Sequence, residues 1–154
     1  MAKMHKHLII QAFVNKPPKK EDEQTIEAWL TKIVHDMGME VLRTATAAYC
    51  DQVGNEGMTA DILITTSHMV LHTWDTITDD YHSDDDGVDP EILEKYGNMP
   101  FIEFDIYTCS DLDIQMAIDA VQIFEPVHLT YFFMNRKGGL RPITSEPVTI
   151  TYER

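Results

Sequence analysis

Ser67, His68 and His72 share one short stretch, Thr65-Thr66-Ser67-His68-Met69-Val70-Leu71-His72-Thr73-Trp74-Asp75, whose other members are mostly apolar or β-branched. A serine hydroxyl becomes a nucleophile when a neighbouring base takes its proton, and imidazole is the side chain suited to that near neutral pH. Burying an imidazole is costly unless its ring nitrogens find partners, so two of them beside a serine on one strand ask for an explanation. The pattern admits nucleophilic or acid–base chemistry, and it equally admits a capped strand end with a satisfied core histidine. Ser67 and His72 are five residues apart and would face opposite ways in a flat strand. A bend, a bulge or a second protomer has to bring them together.

Other candidate groups are few. Cys50 and Cys109 are the only cysteines, so there is no disulfide framework, and a reducing, cytoplasmic setting fits. Cys109 reads as a small core hydrophobe or as a functional thiol, and its place on the polar side of its strand favours the second. Asp79, Asp80, His82, Asp84, Asp85, Asp86 and Asp89 crowd the stretch from Thr76 to Asn98. A calcium loop with Gly87 at its sixth position would begin at His82 and end at Leu93, neither a suitable ligand. The stretch is expected to be a solvated acidic loop, and no metal site is expected.

Acidic residues number 26 against 12 basic, a formal charge of −14. Such a surface repels nucleic acid and anionic membranes and attracts cationic ligands such as amines. No segment approaches bilayer length. The apolar run Leu8 to Val14 is short, contains Gln11 and lacks a small-residue cleavage site, so it reads as a first strand rather than a signal segment.

The elements that must position these groups follow from periodicity. His7 to Val14 forms a buried strand, followed by a loop that Pro17 and Pro18 keep extended. Ile26, Trp29, Leu30, Ile33, Val34 and Met37 recur at helical spacing, with Glu21, Asp22 and Glu23 at the N-terminal end and Gly38 placed to stop the helix. Met39 to Ala48 is strand, Tyr49 to Gly57 turns, and Met58 to Trp74 is strand-like with a break near Ser67. A short helix is expected over Pro90 to Tyr96. Ile102, Phe104, Ile106 and Thr108 alternate with Glu103, Asp105, Tyr107 and Cys109, the pattern of a strand with one oily and one polar face. Ser110 or Asp111 is expected to cap a second helix carrying Ile114, Ala117, Ile118 and Val121, ended by Pro126. Val127 to Met134 and Pro147 to Tyr152 are further strands around a Gly138-Gly139 turn. At 154 residues this is one domain. The order of elements predicts an α+β two-layer sandwich, a largely antiparallel sheet with two main helices on one face.

Four stretches in order carry a resemblance: Lys6-His7-Leu8-Ile9-Ile10, Gly57-Met58-Thr59-Ala60, Ser67-His68-x-x-x-His72-Thr73-Trp74 and Phe104-Asp105-Ile106-Tyr107-Thr108-Cys109. Together they resemble the bacterial and archaeal S-adenosylmethionine decarboxylase proenzymes, zymogens that make a pyruvoyl cofactor from an internal serine. The resemblance implies a carboxy-lyase of polyamine biosynthesis, with no metal, working as a homodimer whose two sheets stack with the helices outside. It implies autocatalytic cleavage between Thr66 and Ser67 into a β chain, 1–66, and an α chain, 67–154. In the family the serine attacks the preceding carbonyl to give an ester. A histidine, here His72, takes the α-proton so that the ester eliminates, and hydrolysis of the dehydroalanine leaves the pyruvoyl group. Thr59 stands where the family commonly has an assisting serine. The pyruvoyl carbonyl forms a Schiff base with the substrate amine and accepts the electrons left by departing carbon dioxide. Cys109 matches the proton donor to that carbanion.

The chain departs from the pattern at three carboxylates. The residue before the serine is usually glutamate and is Thr66 here. The family's ribose-gripping carboxylate, two residues past Trp74, falls on Thr76, with Asp75 adjacent as the available substitute. An acid common in the first strand falls on Gln11. Since a ribose diol draws much of its recognition from a bidentate carboxylate, two alternatives stay open beside S-adenosylmethionine. One is the same cofactor acting on another amine such as ornithine or arginine. The other is a non-processing homologue that binds a ligand or partner.

Overall fold

The structure, a computed structural model, describes residues 4–75 and 89–154. Thr76 and most of the acidic stretch lie outside them. Eight strands among the described residues form one antiparallel sheet. They are β1 (Lys6–Val14), β2 (Val41–Cys50), β3 (Gly57–Ile64), β4 (Ser67–Trp74), β5 (Phe101–Thr108), β6 (Pro126–Asn135), β7 (Arg141–Pro142) and β8 (Val148–Thr151). Their spatial order is β2-β3-β4-β5-β1-β6-β7, with β8 also paired to β6. Three helices accompany them: α1 (Glu23–Asp36), α2 (Pro90–Tyr96) and α3 (Ile114–Ala120).

Period-two alternation sorts the sheet into two faces. Leu8, Ile10 and Ala12 of β1, Met58, Ala60, Ile62 and Ile64 of β3, Met69 and Leu71 of β4, and Ile102, Phe104 and Ile106 of β5 are all buried beneath α1 and α3. Trp29 of α1 joins the layers. Its ring lies 5.0 Å from Phe104 and 5.2 Å from Phe124, and its indole N–H donates to the carbonyl of Ala120 at 2.9 Å. Gly38, with φ of 69°, ends α1: Gly38 N–H donates to His35 O and Met39 N–H to Val34 O, closing the carbonyls a helix end leaves open.

One expected feature takes a definite form and two others differ from expectation. The break near Ser67 is a tight hairpin: Thr65 and Thr66 form the turn, and Ile64 pairs with Ser67. The cap of α3 is Asp113, whose carboxylate accepts Met116 N–H at 3.2 Å, not Ser110 or Asp111. That helix also stops at Ala120, before a 3-10 turn over Val121–Phe124 and a left-handed Glu125, so Pro126 opens β6 instead of ending the helix. The expected short helix is α2, and its Tyr96 lies against the sheet face opposite α1 and α3, stacked 5.5 Å from Phe13 and 4.8 Å from His128. Among the described residues no helix is long and apolar enough to cross a membrane.

Candidate active site

The β3–β4 hairpin is pinned at its tip by the end of β5. Cys109 N–H donates to the carbonyl oxygen of Thr66 at 3.2 Å, and the Cys109 thiol approaches the same oxygen at 3.6 Å. Thr108, buried beneath the helices, donates its hydroxyl to Thr66 Oγ1 at 2.8 Å and accepts Ser110 N–H at 3.0 Å. Thr66, which replaces the expected glutamate, is thereby held from two sides. The next residue carries the strain. Ser67 has φ of 149°, a region that costs a non-glycine residue about 1–3 kcal/mol. A peptide carbonyl polarised by a fixed N–H, followed by a strained serine, favours attack by that serine's hydroxyl on its own backbone.

The face away from α1 and α3 carries further polar groups in cross-strand rows, two of which bear the imidazoles of β4. The row next to Ser67 runs His7, Tyr107, His68, Leu63 across β1, β5, β4 and β3. His68 Nδ1 lies 3.1 Å from Ser67 Oγ, and His7 Nε2 lies 3.5 Å from Asp105 Oδ2. Four residues further along β4, the second row runs Gln11, Glu103, His72, Thr59. Gln11 Nε2 donates to Glu103 Oε2 at 3.1 Å, and Thr59 Oγ1 and His72 Nδ1 are 2.8 Å apart. Burial lowers the proton affinity of His72 below the ordinary histidine value, and the Glu103 carboxylate partly opposes this. The Trp74 ring centroid is 4.1 Å from that of His72.

Thr59 and His72 therefore meet directly, and Cys109 meets the Thr66–Ser67 bond. His72 does not approach Ser67 within the chain, being five residues along the same strand, roughly 16 Å at the usual strand rise. Asp75 is turned from the open face. Its carboxylate accepts the Tyr49 hydroxyl, and Tyr49 packs against the core cluster on the helix side. That bond, followed by burial, pushes the Tyr49 phenol up to about 12. Gln11 lies on the open face but spends its amide on Glu103. His68 stood in the sequence only as one of two imidazoles beside Ser67, with no step assigned to it, and Glu103 only as a polar member of the β5 alternation. Adjacency of Ser67 and His68 was the available signal for the first, whereas the second needs the strand register. Among the described residues, no group of three or more His, Cys, Asp or Glu side chains is arranged to hold a metal ion.

Fold and site together define a class: a two-layer α+β domain in which a strained serine faces a polarised backbone carbonyl, with imidazoles on the uncovered sheet face. A family model described as S-adenosylmethionine decarboxylase matches residues 6–137, and the chain belongs to that family. Among solved structures it is similar to the adenosylmethionine decarboxylase of Aquifex aeolicus VF5, at 16% identity and a TM-score of 0.57, over 95% of this chain and 99% of that one. At that identity the likeness speaks for the fold. No curated protein matches the chain significantly.

Proposed function

We propose that this chain is a self-processing S-adenosylmethionine decarboxylase, cut between Thr66 and Ser67 into residues 1–66 and 67–154, with Ser67 becoming a pyruvoyl group. The carrying observation is the Thr66 carbonyl, which accepts the Cys109 N–H at 3.2 Å beside a serine of strained φ. Negative charge develops on that oxygen when Ser67 Oγ attacks, and a preorganised donor there stabilises it without reorganisation. The residues present suit the group they would create: its position at the hairpin tip borders the Cys109 thiol. Once formed, a pyruvoyl carbonyl supplies an electron sink for the carbanion left by decarboxylation. Cys109, 3.6 Å from the Thr66 carbonyl oxygen through its sulfur, is the proton donor to the substrate carbon in this reading.

His72 requires a second copy. Bonded to Thr59 and far along β4 from its own Ser67, it serves the serine of a partner in a homodimer whose open faces stack. The rows of His, Gln, Glu and aromatic side chains on that face support the arrangement, because they leave a sheet surface with polar groups to pair and rings to cover.

Intact mass of the purified chain, followed over time, tests the processing. Two fragments split at Ser67 are expected, the larger bearing a carbonyl that borohydride reduces. A polypeptide that stays whole, with no trappable carbonyl, overturns the proposal. Carbon dioxide release from carboxyl-labelled S-adenosylmethionine, against ornithine and arginine, then assigns the substrate. Release only from a basic amino acid rejects S-adenosylmethionine.

A further inference from the structure

We propose that His68 is the base that starts the rearrangement at Ser67, leaving His72 for the later elimination. This rests on the reading of Ser67 as the self-processing residue. In a regular strand adjacent side chains point to opposite faces. The φ of 149° takes Ser67 out of that geometry, and its hydroxyl meets the neighbouring ring, with Oγ 3.1 Å from His68 Nδ1. The ring itself is seated. Tyr107, directly across on β5, packs against it edge to face at 5.5 Å. Tyr107 is held in turn by Arg136, whose guanidinium carbon lies 4.4 Å from the ring centroid, and by His7 at 5.7 Å. For this first proton the contact that exists within the chain is to His68, whereas His72 has its Nδ1 engaged by Thr59 at 2.8 Å and reaches a serine only across the proposed dimer.

The step balances within the chain. With the proton of the neutral ring on Nε2, His68 Nδ1 takes the hydroxyl proton of Ser67 as Oγ bonds to the carbonyl carbon of Thr66. The C=O electron pair moves onto oxygen, to which the Cys109 N–H donates its hydrogen bond. Collapse breaks the C–N bond between Thr66 and Ser67, and the departing nitrogen takes the proton back from Nδ1. One imidazole thus acts as base and then as acid on two atoms of the same residue, and an ester replaces the amide. Loss of the Ser67 α-proton follows and belongs to His72.

The test compares full-length wild type, His68→Ala, His68→Gln and His72→Ala, each followed by intact mass with and without hydroxylamine. Wild type splits. Both His68 variants are expected to split at least about 10²-fold more slowly, with no fragment released by hydroxylamine, because no ester forms. His72→Ala accumulates the ester, and hydroxylamine cuts it to leave a hydroxamate on Thr66. Added imidazole is expected to restore cleavage to His68→Ala, which a purely structural role would not allow. His68→Gln retains a polar group of similar size, and its thermal midpoint guards against misfolding. A folded His68 variant that cleaves within a few-fold of wild type, or that accumulates a hydroxylamine-sensitive ester, overturns the role of His68. Wild type that never splits overturns the processing reading as well, so the two failures are distinguishable.

Discussion

Cys109 meets the Thr66–Ser67 bond through two groups with separable duties. Its backbone N–H polarises the Thr66 carbonyl at 3.2 Å, and any residue but proline supplies that bond. In the proposed mechanism its thiol serves the substrate. Cys109→Ala is therefore expected to leave cleavage largely intact while lowering decarboxylation turnover by about 10²-fold or more, measured as fragment yield against carbon dioxide release. Abolished cleavage would contradict this division. In the proposed mechanism His72 sets the pH dependence of the elimination step. Its proton affinity is lowered by burial and raised by Glu103, with Asp105 on β5 and Asp61 on β3 opposite Val70, two residues away. A base must be neutral, so elimination is expected to slow as pH falls through the folded-state value, below 6.5. Glu103→Gln removes the opposing carboxylate and should move that acid limb to lower pH, read from the rate at which the hydroxylamine-sensitive ester is consumed against pH. A limb that moves upward would remove Glu103 from the account. Stability has the same sign: between the ordinary and the lowered value the unfolded chain binds the proton first, so stability falls as pH drops below 6.5. At this scale the resemblance named Ser67, His72, Cys109 and Thr59 from sequence alone. Glu103 was invisible, because its importance comes from lying across from both Gln11 and His72, which only the register of three strands decides.

At the scale of elements, β3 and β4 depend on how closely Gly57 approaches its neighbour. A Cβ there would lie 1.8 Å from the carbonyl oxygen of Thr73, and φ is +157°. Gly57→Ala is expected to cost about 3 kcal/mol or more by urea denaturation, and to slow cleavage by parting Thr59 from His72. An unchanged midpoint would show that the strands adjust freely. Most elements were legible because their side chains repeat at 3.6 or at 2 residues, as in Ile26 to Val34 and Ile102 to Thr108. The hairpin at Thr65-Thr66 was not, since it lacks the Asn, Asp or Gly that usually mark two-residue turns. Its geometry is set by neighbours: Thr65 N–H donates to Glu40 O, and Cys109 holds Thr66. The cap of α3 was misplaced for a related reason. Ser110, Asp111 and Asp113 are all plausible caps by type, and the path of the chain after β5 chooses: Ser110 N–H turns back to Thr108 Oγ1, Asp111 pairs with Lys6, and the Asp113 carboxylate is the one that meets a helix N–H.

For the whole molecule, the alternation of β5 already implied a sheet with one oily and one polar face. What it did not convey is that α2 brings Tyr96 onto the polar side beside Phe13 and His128. Burial lowers the proton affinity of His128 there, with the nearby Lys95 charge adding to the effect. The proposed homodimer makes a direct prediction. Ser67→Ala cannot be cut and His72→Ala lacks its elimination base, so neither should mature alone. Mixed in one cell, the His72→Ala chain should be cut by the histidine of the Ser67→Ala chain, giving fragments on a gel. No complementation, despite dimers by ultracentrifugation, would mean that His72 acts within its own chain or not at all.

β4 lies between β3 and β5, so a nick at the Thr66–Ser67 bond would cut the covalent link in mid-sheet while leaving the hydrogen-bonded ladders on both sides. Folding happens once, as a single polypeptide, when the connection between β3 and β4 costs little entropy. After maturation, unfolding would release two separate molecules, and recovery would depend on their concentration. The mature form would then persist through the height of its unfolding barrier, and heat damage to it would not reverse on cooling as it would in the uncut precursor.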